Sequence, residues 1–429
     1  MPSPISKKTD RGIAVSVLTD VLETGAYANI ALRKTLANVD IDPRARAFVT
    51  DMVNETLRNL LQIDHTLNNF SKTPVDKMKP FIRNLLRISV CQIKFMDKIP
   101  DRAAVNEAVV LVKAYGFDNL SGYVNGVLRN VSREERDEFK DPMLKYSYPK
   151  WLMDKLKLWL GEEGAISFCE NSHRPPPVIV IANTHKVSPG QLAQKFEVEG
   201  INATPLENTS HPFFVLRQTG DITKLTSFQD GWFYVLDPGT MHAVDAINPQ
   251  PGQTIIDLCA APGGKTFAIA SIMKNKGTLL SYDLYPHRVE LISQTRKRLG
   301  HTVVTTAVSN ALIYNSKLDS VADAVLLDVP CSGLGTIRKH PEIKYTRKPQ
   351  DITALALKQR EMLAIAAKYV RPGGRLVYCT CTVARQENGD NIRYFLDGNQ
   401  NYSLLNEQQI LPSGTSDGFY VAVLQRCNN

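Results

Sequence analysis

Apolar and polar positions change rhythm twice along this chain. In residues 1–142 the apolar side chains recur at helical spacing, as in Arg44–Leu57 and again in Pro80–Val90. Asp42-Pro43 and Thr73-Pro74-Val75-Asp76 read as helix starts, each pairing a capping residue with an early proline. Asp101, ahead of Val105, Ala108, Val109 and Val112, opens another helix. Residues 143–240 are mixed. Tyr148-Pro149-Lys150-Trp151 begins a short helix, and Pro175-Pro176-Pro177 breaks the chain. Val178–Asn183, Phe213–Leu216 and Trp232–Leu236 read as strands, with a short helix opening at Ser188-Pro189. From 241 to 429 strands and helices alternate. Strands are predicted at Thr254–Ala260, Thr278–Asp283, Thr302–Thr306, Ala324–Asp328, Arg375–Cys379 and Phe419–Leu424, and helices include Pro286–Leu299 and Asp351–Val370.

Three parts follow from these rhythms: an all-α N-terminal domain (1–142), a small α+β domain (143–240) and an α/β Rossmann-like domain (241–429). Alternation in the last predicts a parallel, doubly wound sheet. Ligands of such sheets bind in the crevice at the carboxyl ends of the strands. Two of those ends carry a thiol. Cys331 follows Ala324-Val325-Leu326-Leu327-Asp328-Val329-Pro330, and Cys381 follows Leu376-Val377-Tyr378-Cys379-Thr380.

Composition narrows the setting. The first residues lack the apolar stretch of a signal peptide, and no run approaches a membrane span. Seven cysteines without a regular framework suggest free thiols in a reducing compartment, so a cytoplasmic protein with no membrane partner is expected. Cys379 and Cys381 are spaced to share a metal, but no companion His/Cys cluster lies nearby, and no metal is expected. A net charge of +8 favours a polyanionic partner, since phosphate contacts give sequence-independent affinity. Arg33, Lys34, Arg44, Arg46, Arg58, Arg83 and Arg87 interleave with apolar positions, as they also would on ordinary solvated helix faces.

The first predicted strand of the C-terminal part runs into Asp257-Leu258-Cys259-Ala260-Ala261-Pro262-Gly263-Gly264-Lys265-Thr266. A glycine turn between strand and helix lets the backbone approach a ligand closely. Asp283, twenty residues after Gly263, ends the second strand, where an acid suits a ribose diol. Two cofactors compete. Gly264-Lys265-Thr266 matches the end of a nucleotide-hydrolase P-loop, but Cys259 stands where that motif requires its first glycine. Pro262 also removes a backbone donor from the phosphate cradle. A class I S-adenosylmethionine-dependent methyltransferase needs no such cradle. It needs a glycine turn and acids at the second and fourth strands, which Gly263, Asp283 and Asp328 provide.

Thiols in the crevice then suggest a substrate. Carbon 5 of cytosine is too weak a nucleophile to take a methyl group unaided. A thiolate adding to carbon 6 makes carbon 5 enamine-like, and a base later removes the carbon-5 proton so that the thiolate can leave. Buried strand cysteines are more often inert packing, which suits Cys91, Cys169 and Cys379.

DLCAAPGGKT (257–266), LLDVPCSGLGTIRKHPEIKY (326–345), RPGGRLVYCTCT (371–382) and DGFYVAVL (417–424) together resemble the Sun-type (RsmB-like) 5-methylcytosine RNA methyltransferases. In the N-terminal part, ARAFVTDMVNETLRN and NEAVVLVKAYGFDNLSGYVNGVLRNV resemble a NusB-type RNA-binding domain, so the likeness spans essentially the whole chain. The resemblance implies that Cys381 is the nucleophile and that Cys331 assists product release. It implies that Cys259, Ala260, Ala261, Pro262, Gly263, Gly264 and Lys265 hold the methionine and sugar portions of S-adenosylmethionine. Asp283 would take the ribose hydroxyls with Arg288 supporting that crevice, and Asp328 would sit between cofactor and target base. Lys265, Arg338, Lys339 and Arg347 are candidates for RNA phosphate or active-site contacts. Where the family usually has aspartate then alanine to face the adenine, this chain has Asn310-Ala311. The pattern common before the cofactor domain is also replaced, by Leu236-Asp237-Pro238-Gly239. The expected partner is small-subunit ribosomal RNA, met at an unpaired cytosine by a monomer, with no DNA partner. A catalytically silent RNA-binding factor on the same fold is the alternative from another class, and the paired cysteines argue against it.

Overall fold

The computed structural model describes residues 9–135, 138–217 and 219–428. Its backbone falls into two compact units. One holds the chain up to His173 together with Ile337–Arg347; the other holds Arg174–Thr336 and Lys348 onward.

The first unit is helical. Its core is built from the apolar faces of helices Asp10–Thr24, Ala28–Ala37, Pro43–Arg58, Leu60–Phe70, Pro80–Phe95, Asp101–Ala114 and Ser121–Arg133. Asp42 caps Pro43–Arg58 as its sequence predicts, its side chain accepting from Arg44 N and Ala45 N. The predicted start at Thr73-Pro74 yields only a single 3₁₀ turn, Val75–Lys77. A second proline three residues beyond that turn restarts the chain, and the helix begins at Pro80. The helix expected to be short at Lys150 continues to His173, broken at Gly161, whose φ is 75°. Three of the interleaved cations are structural. Arg87 makes a two-pronged contact with Asp64 at 2.7 Å on each arm, Arg83 pairs with Glu23, and Arg58 is buried.

Ile337–Arg347 belongs to this unit although it lies between segments of the second unit in sequence. Buried Lys344 holds it there, donating to the carbonyls of Arg58 at 2.9 Å and Tyr146 at 3.1 Å. Burial, and then the nearby Arg58 charge, push the Lys344 ammonium well below its ordinary pKa. Tyr345 OH donates to Ser147 O, and Glu342 accepts from Ala28 N.

The second unit holds two sheets. The smaller contains β1 (Val178–Ala182), β2 (Asn202–Pro205), β3 (Phe213–Arg217) and β4 (Phe233–Val235), all antiparallel, in the order β2-β3-β1-β4. The sequence reading missed β2, whose Asn-Ala-Thr-Pro carries no apolar alternation. Side chains of the small sheet, Ile179, Phe213 and Tyr234, share a core with Phe267, Ile292 and Leu299 of the larger domain. Asn183 Nδ2 bridges Gly231 O and Leu299 O at 2.9 Å each.

The larger sheet contains β5 (Thr254–Asp257), β6 (Thr278–Asp283), β7 (Val304–Val308), β8 (Ala322–Asp328), β9 (Val370–Thr380), β10 (Tyr402–Ile410) and β11 (Phe419–Arg426). Their order is β10-β11-β9-β8-β5-β6-β7. β9, β8, β5, β6 and β7 run parallel, but β11 is antiparallel to β9 and β10 to β11, so the sheet is mixed rather than wholly parallel. β10 escaped the sequence reading because this edge strand is polar and largely exposed. Of the two long helices, Pro286–Leu299 has the predicted bounds and Pro349–Tyr369 begins two residues earlier than expected. Among the described residues no helix is long and apolar enough to cross a membrane.

Candidate active site

β5, β6, β8 and β9 deliver Asp257, Asp283, Asp328 and Thr380-Cys381 to one end of the sheet. Cys331 lies three residues beyond Asp328. The Cys331 and Cys381 sulfurs are 3.2 Å apart, each partly exposed. The hydrogen bond with Cys381, then burial, then the charges at Cys381, Glu387 and Asp328 hold the Cys331 thiol well above its ordinary pKa.

The backbone around the thiols is fixed at close quarters. Gly335 N donates to Cys381 O, and Gly418 N donates to Gly335 O, both at 2.9 Å. A Cβ on Gly335 would stand 2.1 Å from Gly418 O and 2.9 Å from Cys381 O, so only glycine fits. Asp237, in the segment that departs from the family pattern, accepts from Asp417 N and secures the same loop.

Asp328 is clamped from two sides. Lys265 Nζ donates to its Oδ2 at 2.6 Å, and Cys379 Sγ lies 3.5 Å from its Oδ1. Burial opposes the Lys265 charge, but the Asp328 carboxylate prevails and holds the ammonium above its ordinary pKa. Lys265 therefore lies in the crevice beside Asp328, with its ammonium also 5.3 Å from the Phe419 ring. Arg338, Lys339 and Arg347 belong to the helical unit instead. Cys379 is buried, and burial with the Asp328 charge raises its thiol far above the ordinary range, so it stays a neutral packing group.

The glycine turn is built as its sequence predicts. Gly263, at φ 106°, caps the helix Gly264–Ile272, and a Cβ there would meet the Phe267 ring at 2.5 Å. Cys259 and Ala261 are half-buried, Ala260 is buried and Pro262 exposed. Asp283 accepts from Ala261 N and Tyr285 N, both at 3.2 Å, which ties the turn to the end of β6. Arg288 is exposed in the first turn of Pro286–Leu299, its guanidinium 5.5 Å from the Tyr285 ring. Asn310 spends its Oδ1 on Leu312 N at 3.0 Å, so its carbonyl organises a turn. Ser309 N beside it donates to Asp283 O.

Buried Asp257 receives Thr266 Oγ1 at 2.7 Å on one oxygen, while its Oδ1 has no hydrogen-bond partner among the described residues. Such an oxygen calls for a donor from outside the chain. With Asp283 at the end of the neighbouring strand, this acid fits a crevice for a cofactor carrying an ammonium group and ribose hydroxyls. Burial is the main cause that pushes the Asp257 carboxyl up to about 7, helped by the Asp328 and Asp283 charges and opposed by Thr266 and Lys265. Its native pKa exceeds its unfolded one, so its stabilising contribution is complete below about pH 4. That contribution is lost as pH rises through about 7. Asp257→Asn is expected to flatten the decline in thermal stability of the cofactor-free protein between these limits. The difference reaches on the order of 4 kcal/mol, read from melting curves at pH 4, 5.5 and 8.

The seven-stranded sheet with one inserted antiparallel strand, the glycine turn after β5 and the acid after β6 define a class I methyltransferase. Comparison with known proteins makes the assignment specific. The family model described as 16S rRNA methyltransferase RsmB/F matches residues 244–425. The NusB family matches 8–133, and an RsmF/B-like ferredoxin-like domain matches 148–223. The Bacillus subtilis probable ribosomal RNA small subunit methyltransferase B is 36% identical over 399 residues, covering 91% of this chain and 89% of its own. Ribosomal RNA small subunit methyltransferase B of Proteus mirabilis is 30% identical, with 97% and 98% covered. The crystal structure of PH0851 superposes with a TM-score of 0.82 at 25% identity, covering 97% of this chain and 99% of that one. The chain belongs to the RsmB/F family of S-adenosylmethionine-dependent rRNA methyltransferases.

Sequence reasoning missed Glu387 and Gln359. Both are buried directly behind Cys331, and neither lies in a motif the cysteines point to.

Proposed function

We propose that this protein methylates carbon 5 of a cytosine in 16S ribosomal RNA through a covalent bond between Cys381 and carbon 6 of the base. The observation that carries this reading is the 3.2 Å approach of two thiols at the ends of adjacent strands. A methyl transfer to a nucleophilic nitrogen or oxygen needs neither thiol; transfer to carbon 5 of cytosine calls for a nucleophile at carbon 6 and a base for the carbon-5 proton, two tasks that two adjacent thiols can divide.

Cys381 would add as the thiolate, with the Cys331 sulfur 3.2 Å away. S-adenosylmethionine, when bound, supplies an electrophilic methyl group. The turn Cys259–Lys265, with Asp257 and Asp283, would hold it. Asp328, fixed by Lys265, would meet the base beside the methyl donor. Once Cys381 becomes a thioether it no longer holds the Cys331 proton in place. Cys331 then gives its own thiol proton up to solvent, and the resulting thiolate takes the carbon-5 proton. Departure of Cys381 as thiolate completes the turnover. The helical unit and the small sheet would grip the RNA, with the target cytosine unstacked to reach the crevice.

With a 16S rRNA transcript and methyl-labelled S-adenosylmethionine, nuclease digestion should place the label in 5-methylcytidine. Label in any other nucleoside contradicts the assignment.

A further inference from the structure

We propose that Gln359 and Glu387 are positioning residues for Cys331, bracketing it so that its sulfur is held for the release step. This rests on the covalent reading above. Gln359 lies in the middle of the helix Pro349–Tyr369, and Glu387 ends the 3₁₀ turn Arg385–Glu387; both are buried.

Two peptide groups flank the Cys331 α-carbon. The carbonyl of the first, Pro330 O, accepts from Gln359 Nε2 at 2.9 Å. The N–H of the second, on Ser332, donates to Glu387 Oε2 at 2.9 Å. Gln359 Nε2 also donates to that same Oε2 at 2.8 Å, so the two side chains act as one clamp. Fixing both peptide planes fixes the backbone dihedrals of the residue between them, and with them the origin of the Cys331 side chain. Ser332 Oγ meets Thr382 Oγ1 at 2.8 Å, so the residues following the two cysteines are tied as well.

The sense of the clamp is set from behind. Gln359 Oε1 accepts from Asn391 Nδ2 at 3.0 Å, which leaves its Nε2 facing Pro330 and Glu387. Asn391 is oriented in turn by Arg360 Nε, which donates to its Oδ1 at 2.8 Å. Tyr378 OH donates to Glu387 O at 2.5 Å. Such a network is more elaborate than packing requires. Burying a carboxylate and two amides costs stability unless all are bonded, and an apolar filling of the same volume would serve the fold as well. Here the network converges on one residue with a chemical task.

The clamp's hydrogen bonds given above go to the peptide groups flanking Cys331 and not to the Cys381 side chain. The clamp therefore separates adduct formation from release. The test uses the full chain, a 16S rRNA transcript and S-adenosylmethionine. It reads covalent protein–RNA on a denaturing gel and free 5-methylcytidine product. Gln359→Met keeps length and apolar bulk but loses both donors of Nε2. It should capture RNA as wild type does, with release slowed by about 10²-fold and adduct accumulating. Glu387→Ala should behave alike, and Glu387→Gln, which keeps an acceptor for Ser332 N, should rescue release relative to Glu387→Ala. Cys331→Ala is run in parallel. If Cys331→Ala traps RNA and Gln359→Met releases product normally, the clamp proposal fails while the covalent reading stands. If Cys331→Ala yields no adduct, the covalent reading itself fails. A Gln359→Met protein that is unfolded, or that loses capture together with release, assigns the clamp to the fold alone and overturns the proposal.

Discussion

Cys381→Ala protein is expected to retain its fold and bind S-adenosylmethionine, yet to transfer methyl groups more slowly by a factor above about 10⁴. It should also form no covalent complex with RNA. Alanine in place of Cys381 removes the nucleophile but leaves the backbone anchor, since Gly335 N donates to the main-chain carbonyl of residue 381 and not to its side chain. The thermal midpoint should change little, because Cys381 is only partly buried. Cofactor binding by calorimetry separates this outcome from a collapsed crevice.

Cys331→Ala should give the opposite picture. Addition and methyl transfer proceed, the carbon-5 proton finds no base, and the protein stays joined to its RNA. A denaturation-resistant adduct should accumulate at close to one per protein, while turnover falls to a single event. The two variants differ because the covalent reading gives the two sulfurs different tasks, attack for Cys381 and proton removal for Cys331. The hydrogen bond with Cys381 and burial raise the Cys331 thiol above its ordinary pKa, which suits a group that acts late in the reaction. Were the roles reversed, Cys331→Ala would lose capture and Cys381→Ala would trap RNA.

Much of this site was legible in the chain. Two apolar runs ending in Pro-Cys and in Thr-Cys-Thr place both sulfurs at strand ends, and adjacency of β8 and β9 brings them together. The Gly263 turn and Asp283 were legible because strand, glycine and acid occur at a fixed spacing, and the Ala261 N to Asp283 contact joins them. Other parts left no mark. Asp257 and Lys265 were visible as letters of a motif, but their neighbours across the sheet, which determine their charge, were not. Gln359 sits within an ordinary helical pattern, and only the fold turns it toward Pro330. β10 is an exposed edge whose residues are polar, and β2 is too short for alternation to register. Ile337–Arg347 reads as an extension of the Cys331 loop. Its place in the helical unit depends on carbonyl acceptors for Lys344 that lie nearly two hundred or more residues away in sequence.

The most direct test is to identify which cysteine carries the RNA. Cys331→Ala protein is incubated with a 16S rRNA transcript and S-adenosylmethionine, denatured, and digested with nuclease and protease, and the cross-linked peptide is sequenced by mass spectrometry. The account predicts a methylated cytidine attached to Cys381. No adduct, or attachment at any other residue, would contradict it.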